Sequence, residues 1–102
     1  MTAIAYTDVR KVSQRRVYTL LDAVGETGAG TPHRVLNNCR VFQVIISDTA
    51  TCLLQASLDG DNWVTLRTST ASEAYSTAEP WTYIRGNVSV WSAGTVTLLM
   101  GV

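Results

Sequence analysis

Histidine occurs once in this chain of 102 residues, as His33, and cysteine twice, as Cys39 and Cys52. Those three side chains cannot complete a four-ligand zinc site within one polypeptide. A lone histidine beside a loop, in "GTPHRV", with no serine or cysteine in a nucleophile-elbow setting, makes a hydrolytic triad improbable. No glycine-rich loop leads into a helix, so the usual cradle for a nucleotide phosphate is missing. None of the carboxylates sits inside an apolar strand, where burial would raise its pKa for acid–base work. Long apolar runs are also missing, and nothing approaches the roughly 18–20 residues that span a bilayer as a helix. The opening "MTAIAYTDVRKVSQRR" puts its charges after its apolar residues, the reverse of a secretion signal. These absences predict no enzyme, no cofactor, no metal and no membrane partner. With no export signal, Cys39 and Cys52 are expected as buried reduced thiols rather than as a disulfide.

Helical signals are scarce as well. "YTDVRKVSQRRVYTLLDAV" has some three-to-four spacing, but its β-branched content and missing caps argue against a long helix. What remains is one strand after another, each closed by turn residues. The spacing predicts strands over 17–24 and 33–37, then through "CRVFQVIIS". A turn at "DTA" leads to "TCLLQAS" as its partner strand. "WVTLRTS", a short strand around 74–77, "WTYIRGNVSVW" and "TVTLLMGV" follow. The apolar density of "CRVFQVIIS" predicts a strand covered on both faces, and "GETGAGTP" a flexible loop or one that wraps a neighbour. Seven or eight short strands with a turn about every ten residues predict an all-β antiparallel sandwich of jelly-roll type. One domain over 17–102 is expected, preceded by an extended basic arm over 1–16.

"SLDGDNWVTL", residues 57–66, resembles a ligand loop at first sight, with two aspartates and an asparagine in four positions. A calcium loop needs more oxygen ligands at alternating positions and a closing bidentate carboxylate. A hairpin connection explains the same residues. Asp59-Gly60 suits a two-residue turn with positive φ, Asn62 tolerates that region, and Trp63 opens the next strand with its ring over the turn. The loop is read as structural.

Two surface features carry a functional reading. The first twenty residues hold Arg10, Lys11, Arg15 and Arg16 against Asp8, a net +3, and the rest of the chain balances them at −3. A basic arm on an acidic body suits docking between like subunits or on a large acidic assembly, with a solvated strand face as the alternative. Nucleic acid is not favoured as a partner, because a single aromatic, Tyr18, lies nearby and the body is acidic. Trp81, Tyr83 and Arg85 share a strand face by period two. They are read as the edge of the core with Arg85 reaching outward, or as a platform for sugar rings or a partner chain.

The order "FQVIIS…TCLLQASLDGDNWVTLRT…AEPWTYIRGNVSVWSAGTVTLLMGV" resembles small β-sandwich proteins of tailed-phage particles. There, a strand ending in S-x-D-G-x-x-W precedes a W/R-Y-x-R strand and a final G-T-V-T-L strand. The resemblance covers about residues 41–102. It implies a virion structural protein, a capsid decoration (cement) protein or a tail or fibre component. It also implies a trimer on the capsid surface that clamps the major capsid protein, with segment 1–16 as the contact. The same order is similar to discoidin-like, galactose-binding sandwich domains, which implies carbohydrate binding as the alternative.

Overall fold

The computed structural model describes residues 17–34 and 40–101, and these form an antiparallel β-sandwich with no helix. Nine strands follow in order: β1 (Val17–Val24), β2 (Gly28–Ala29), β3 (His33–Arg34), β4 (Arg40–Ile46), β5 (Thr49–Ser57), β6 (Val64–Ser69), β7 (Glu73–Thr77), β8 (Tyr83–Ala93) and β9 (Val96–Gly101). One sheet has the order β1-β9-β4-β7. The other has the order β2-β8-β5-β6, with β3 also paired to β8.

Period-two patterning builds both sheets. In β4, Arg40, Phe42 and Val44 are buried while Val41, Gln43 and Ile45 are exposed; in β9, Val96, Leu98 and Met100 face inward. The second sheet answers with Cys52, Leu54 and Ala56 from β5 and Ile84 and Val88 from β8. Each large side chain so buried contributes about 1.5–3 kcal/mol. Gly86 lies in this layer because nothing larger fits: a Cβ there would come within 2.7 Å of Leu21 Cγ. In β1 the register slips on both sides of Leu21. The slips let consecutive Leu20 and Leu21 both turn into the core, and nearby Ala23 takes a positive φ of 49°.

Several expectations change. "CRVFQVIIS" is covered on one face only, since Val41 and Ile45 remain 44% and 43% exposed. The two strands flanking "DTA" do not pair: β4 lies beside β7 and β9, and β5 lies beside β6 and β8 in the opposite sheet. The corner between them is tied to the β8–β9 corner, with Ser47 N donating to Thr95 O at 3.0 Å and Thr95 N to Ser47 Oγ at 2.7 Å. "GETGAGTP" is not a free loop, because β2 pairs with β8 and Gly30 N donates to Gly86 O at 2.7 Å. The strand expected over 33–37 is described only as His33–Arg34. Val90, two residues beyond buried Val88, is exposed and not inward as strict alternation predicts, because the pairing with β5 slips between Cys52↔Val88 and Thr51↔Val90.

Candidate functional site

The "LDGDN" stretch connects β5 to β6, which pair antiparallel as expected. The connection is longer than a two-residue turn, since the last strand pair is Ala56↔Val64. Gly60 takes the expected positive φ, 83°. Among the described residues Ala23 is the one non-glycine with positive φ, so Asn62 serves otherwise. Its N–H and side-chain amide donate to Asp59 Oδ1 and Oδ2 at 2.9 and 2.7 Å. Asp61 N and Ser57 Oγ also donate to Asp59 Oδ1, both at 2.8 Å. These donors, those from Asn62 first, hold the Asp59 carboxyl far below the usual carboxylate range. The Asp59 carboxylate is thus spent on its own loop.

The outer face of the five-stranded sheet receives Tyr83 and Arg85. The Tyr83 ring packs against Gly60, where a Cβ would lie 3.5 Å from its edge. Arg85 stacks on Trp63, with the guanidinium carbon 4.2 Å from the ring centroid, and its Nε donates to Gln55 Oε1 at 2.8 Å. Asn87 Nδ2 donates to the same oxygen at 3.5 Å, and Gln55 Nε2 donates to Thr65 Oγ1 at 3.4 Å. Trp63 therefore meets a cation rather than folding over the turn alone.

Trp81 does not join that face. β8 begins at Tyr83, and Trp81 lies in the connection from β7, partly buried against the core. The connection is clamped by Arg40. This fully buried side chain donates from its two terminal nitrogens to Glu79 O at 2.7 Å and Trp81 O at 2.5 Å. Burial lowers the guanidinium pKa, although a guanidinium stays charged at any ordinary pH. Trp81 Nε1 donates to Glu79 Oε1 at 3.3 Å. Together Trp81, Glu79, Pro80 and Leu58, the last 67% exposed, line an open cleft of about 260 Å³.

The outer face of the four-stranded sheet has a different chemistry. One row across it runs Val17, Gly101, Val41 and Ser76, and the next runs Thr19, Leu99, Gln43 and Ala74. Thr97 and Ile45 form a third. A shallow hollow of about 270 Å³ opens beside Val17, Val41, Gln43 and Leu99. The four strands contain three charged residues, and none stands in these rows. Arg40 is buried, Glu73 pairs with Arg67 at 2.5 Å, and Asp22 lies near the end of β1.

Sequence reasoning passed over this face and the Arg40 clamp. The signal was present in "RVFQVII", whose alternate positions separate Arg-Phe-Val from Val-Gln-Ile. Arg10, Lys11, Arg15 and Arg16 lie outside the described residues, as does Cys39. Cys52 is a buried free thiol, and burial pushes its pKa up to about 11. The His33 ring packs at 5.7 Å from that of Tyr18. Among the described residues no three His, Cys, Asp or Glu side chains gather as metal ligands.

No family model matches the chain, and no curated protein matches it in sequence. Its fold is shared by solved structures. The SPBc2 prophage-derived protein YomS superposes with a TM-score of 0.69 at 12% identity, covering 86% of this chain and 93% of that one. The PBSX exported protein XepA gives 0.55 at 13% identity over 84% of this chain, which spans about a third (36%) of XepA. The Yersinia pseudotuberculosis-derived mitogen gives 0.50 at 9% identity, covering 85% of this chain and 83% of that one. At such identities the likeness establishes the antiparallel sandwich, an architecture that hosts unrelated functions.

Proposed function

We propose that this chain is a non-enzymatic structural protein of a phage particle, acting at the capsid surface as a decoration (cement) protein that bridges coat subunits. The observation that carries the reading is the near end-to-end likeness of its fold to prophage-derived YomS. The strand and turn pattern over residues 41–102 gives the same direction. The polar groups with the most chemical promise are engaged in holding the fold: Asp59 with its loop, Arg85 with Trp63 and Gln55, and Arg40 with two backbone carbonyls. In this reading Arg10, Lys11, Arg15 and Arg16 contact the major capsid protein or another virion subunit, and neither nucleic acid nor a membrane takes part. Each copy adds modest contact area, and repetition over a shell multiplies it.

Purified particles carrying or lacking the chain, heated or moved to low salt, test the proposal. Particles that lack it should release their genome at a lower temperature, and equal survival rejects cementing. A chain found by electron microscopy in the tail or fibres would keep the structural role and move its place.

A carbohydrate-binding reading has one observation in its favour, the open Trp81 cleft with the Glu79 carboxylate on its wall. It now centres on Trp81, because Tyr83 and Arg85 are occupied by Gly60, Trp63 and Gln55. Binding on a glycan array that is lost in Trp81→Ala would support it; silence across the array would remove it.

A further inference from the structure

We infer that two copies of this chain pair through the outer face of the four-stranded sheet, about a two-fold axis that crosses the strands at Gln43. A two-fold contact sets a surface against itself, so any charge at its centre would meet its like. The rows of β1, β9, β4 and β7 carry no charge there, although Asp22, Arg40 and Glu73 belong to the same strands. Among the described residues these rows offer an acidic or basic partner nothing to pair with, the exposed Asp22 standing outside them near the end of β1, and a second copy needs that neutrality.

The middle row gives the self-complementary group. Gln43 lies between Leu99 and Ala74 in the pairing register, and its exposed amide carries both a donor and an acceptor. Across the axis it meets Gln43 of the partner subunit, where each amide can donate to the other's carbonyl. The same axis reverses the strand direction, so β4 of one copy runs over β4 of the next. Val41 then faces Ile45 of the partner subunit, and the hollow beside Val41 receives that side chain. Val17, Val41 and Ile45, at 64%, 44% and 43% exposure, are apolar groups that water otherwise keeps.

The size of the face sets the strength. Four strands about 4.8 Å apart and about six residues long at about 3.3 Å each give roughly 400 Å² in projection per copy. Side-chain relief raises the total buried to on the order of 1,000 Å², the lower margin for a specific interface. Such a pair forms and dissociates with concentration instead of standing as an obligate dimer. The inference deepens the structural-protein reading and rests on it for its place on a particle.

Sedimentation equilibrium of the full chain, across about 1–500 µM to bracket a contact this small, tests the pairing. The wild-type mass should climb from one chain toward two. Gln43→Lys and Gln43→Glu should each stay at one chain while keeping the wild-type strand signature and a cooperative melt. Mixed in equal amounts, they should regain the two-chain mass. Thr68→Lys, on the outer side of the other sheet, should leave pairing unchanged. A wild type that stays at one chain, a mass of three chains, or Gln43→Lys that still pairs overturns the proposal. A wild type that pairs but is absent from particles leaves the pairing standing and removes the virion reading. A single-chain wild type whose retention on particles is lost in Gln43→Lys overturns the pairing and gives this face to a coat subunit.

Discussion

Arg85 and Trp63 form a stacked pair on the outer face of the five-stranded sheet, with the guanidinium carbon 4.2 Å from the indole centroid. The stack joins β8 to the start of β6 across β5, and Gln55 of β5 fixes the guanidinium from below by accepting from Nε at 2.8 Å. The arginine thereby orders three strands at once, where a sugar contact would leave its planar face open.

Arg85→Lys keeps the charge and loses both the flat stack and the Nε–H geometry. A loss of about 1–2 kcal/mol is expected, from the cation–π contact and a charge-assisted hydrogen bond together. Urea unfolding should show it. The double variant with Trp63→Ala should cost clearly less than the two single losses combined, because the pair acts as one unit. Strict additivity would mean that the stack contributes nothing.

Arg40 answers for the β7–β8 connection. Arg40→Met keeps much of the volume but leaves Trp81 O without its Arg40 donor and Glu79 O with only the bond from Trp81 N at 2.9 Å. A buried, hydrogen-bonded charge so removed costs about 3 kcal/mol or more. Trp81 should also become more exposed, so the folded state's tryptophan emission should shift to the red. Unfolding midpoint and emission maximum together check this, and a midpoint unchanged from wild type would refute the clamp.

Strand positions were legible in the sequence, and sheet membership was not. Val17–Val24, Glu73–Thr77 and the hairpin of β5 and β6 follow from local alternation and from Asp59-Gly60. Local patterning makes strands that are adjacent in sequence the expected partners. Yet the Ser47–Asp48 corner sends the chain to the other sheet, held by Thr95 from a corner 48 residues away. No local pattern encodes that contact. The two-residue strand β2 has no propensity of its own and exists because long β8 offers an edge to pair with, whereas β3, on the same edge, begins the strand expected over 33–37. Period two placed Trp81 with Tyr83 and Arg85, but the extended run starts only after Pro80-Trp81-Thr82, where the Arg40 clamp sets the backbone.

Gly86 tests how closely the two sheets approach. A Cβ at this position would lie 2.7 and 2.8 Å from Leu21 Cγ and Cδ1 and 2.9 Å from Leu98 Cδ2. Both neighbours are buried core leucines with little room to move. Gly86→Ala should therefore destabilise by about 1–3 kcal/mol through overpacking. In a domain of this size that lowers the melting temperature by about 4–8 °C per kcal/mol. Calorimetry decides, and a rise in melting temperature would show that the leucines yield.

Cys52 should be chemically silent. Burial pushes its thiol up to about 11, so at pH 8 only about one molecule in a thousand carries the reactive thiolate. In a Cys39→Ser background, a thiol reagent should leave the native protein unmodified for hours and label it promptly in denaturant. Fast labelling of the native protein would place Cys52 at an accessible surface.

Acid should loosen the fold through Asp59 and Glu73. The donors from Asn62, Asp61 and Ser57 depress the folded-state pKa of Asp59 below its unfolded value, and Arg67 and Ser69 do the same for Glu73. A depressed carboxyl contributes its stability in full above the unfolded value, near pH 4, and loses it as pH falls toward the folded value. Wild-type stability should hold from about pH 7 to 5 and decline below that. Asp59→Asn retains one acceptor oxygen and gives up the charge, so it should be less stable than wild type at pH 7. The gap should narrow as pH drops to about 2, where the wild-type carboxyl is losing its advantage. Glu73→Gln should behave in the same way, and its effect should add to that of Asp59→Asn because the two carboxylates serve different connections. Urea midpoints measured at each pH check this, and a gap that widens toward acid would mean that the Asp59 network stabilises the protonated form instead.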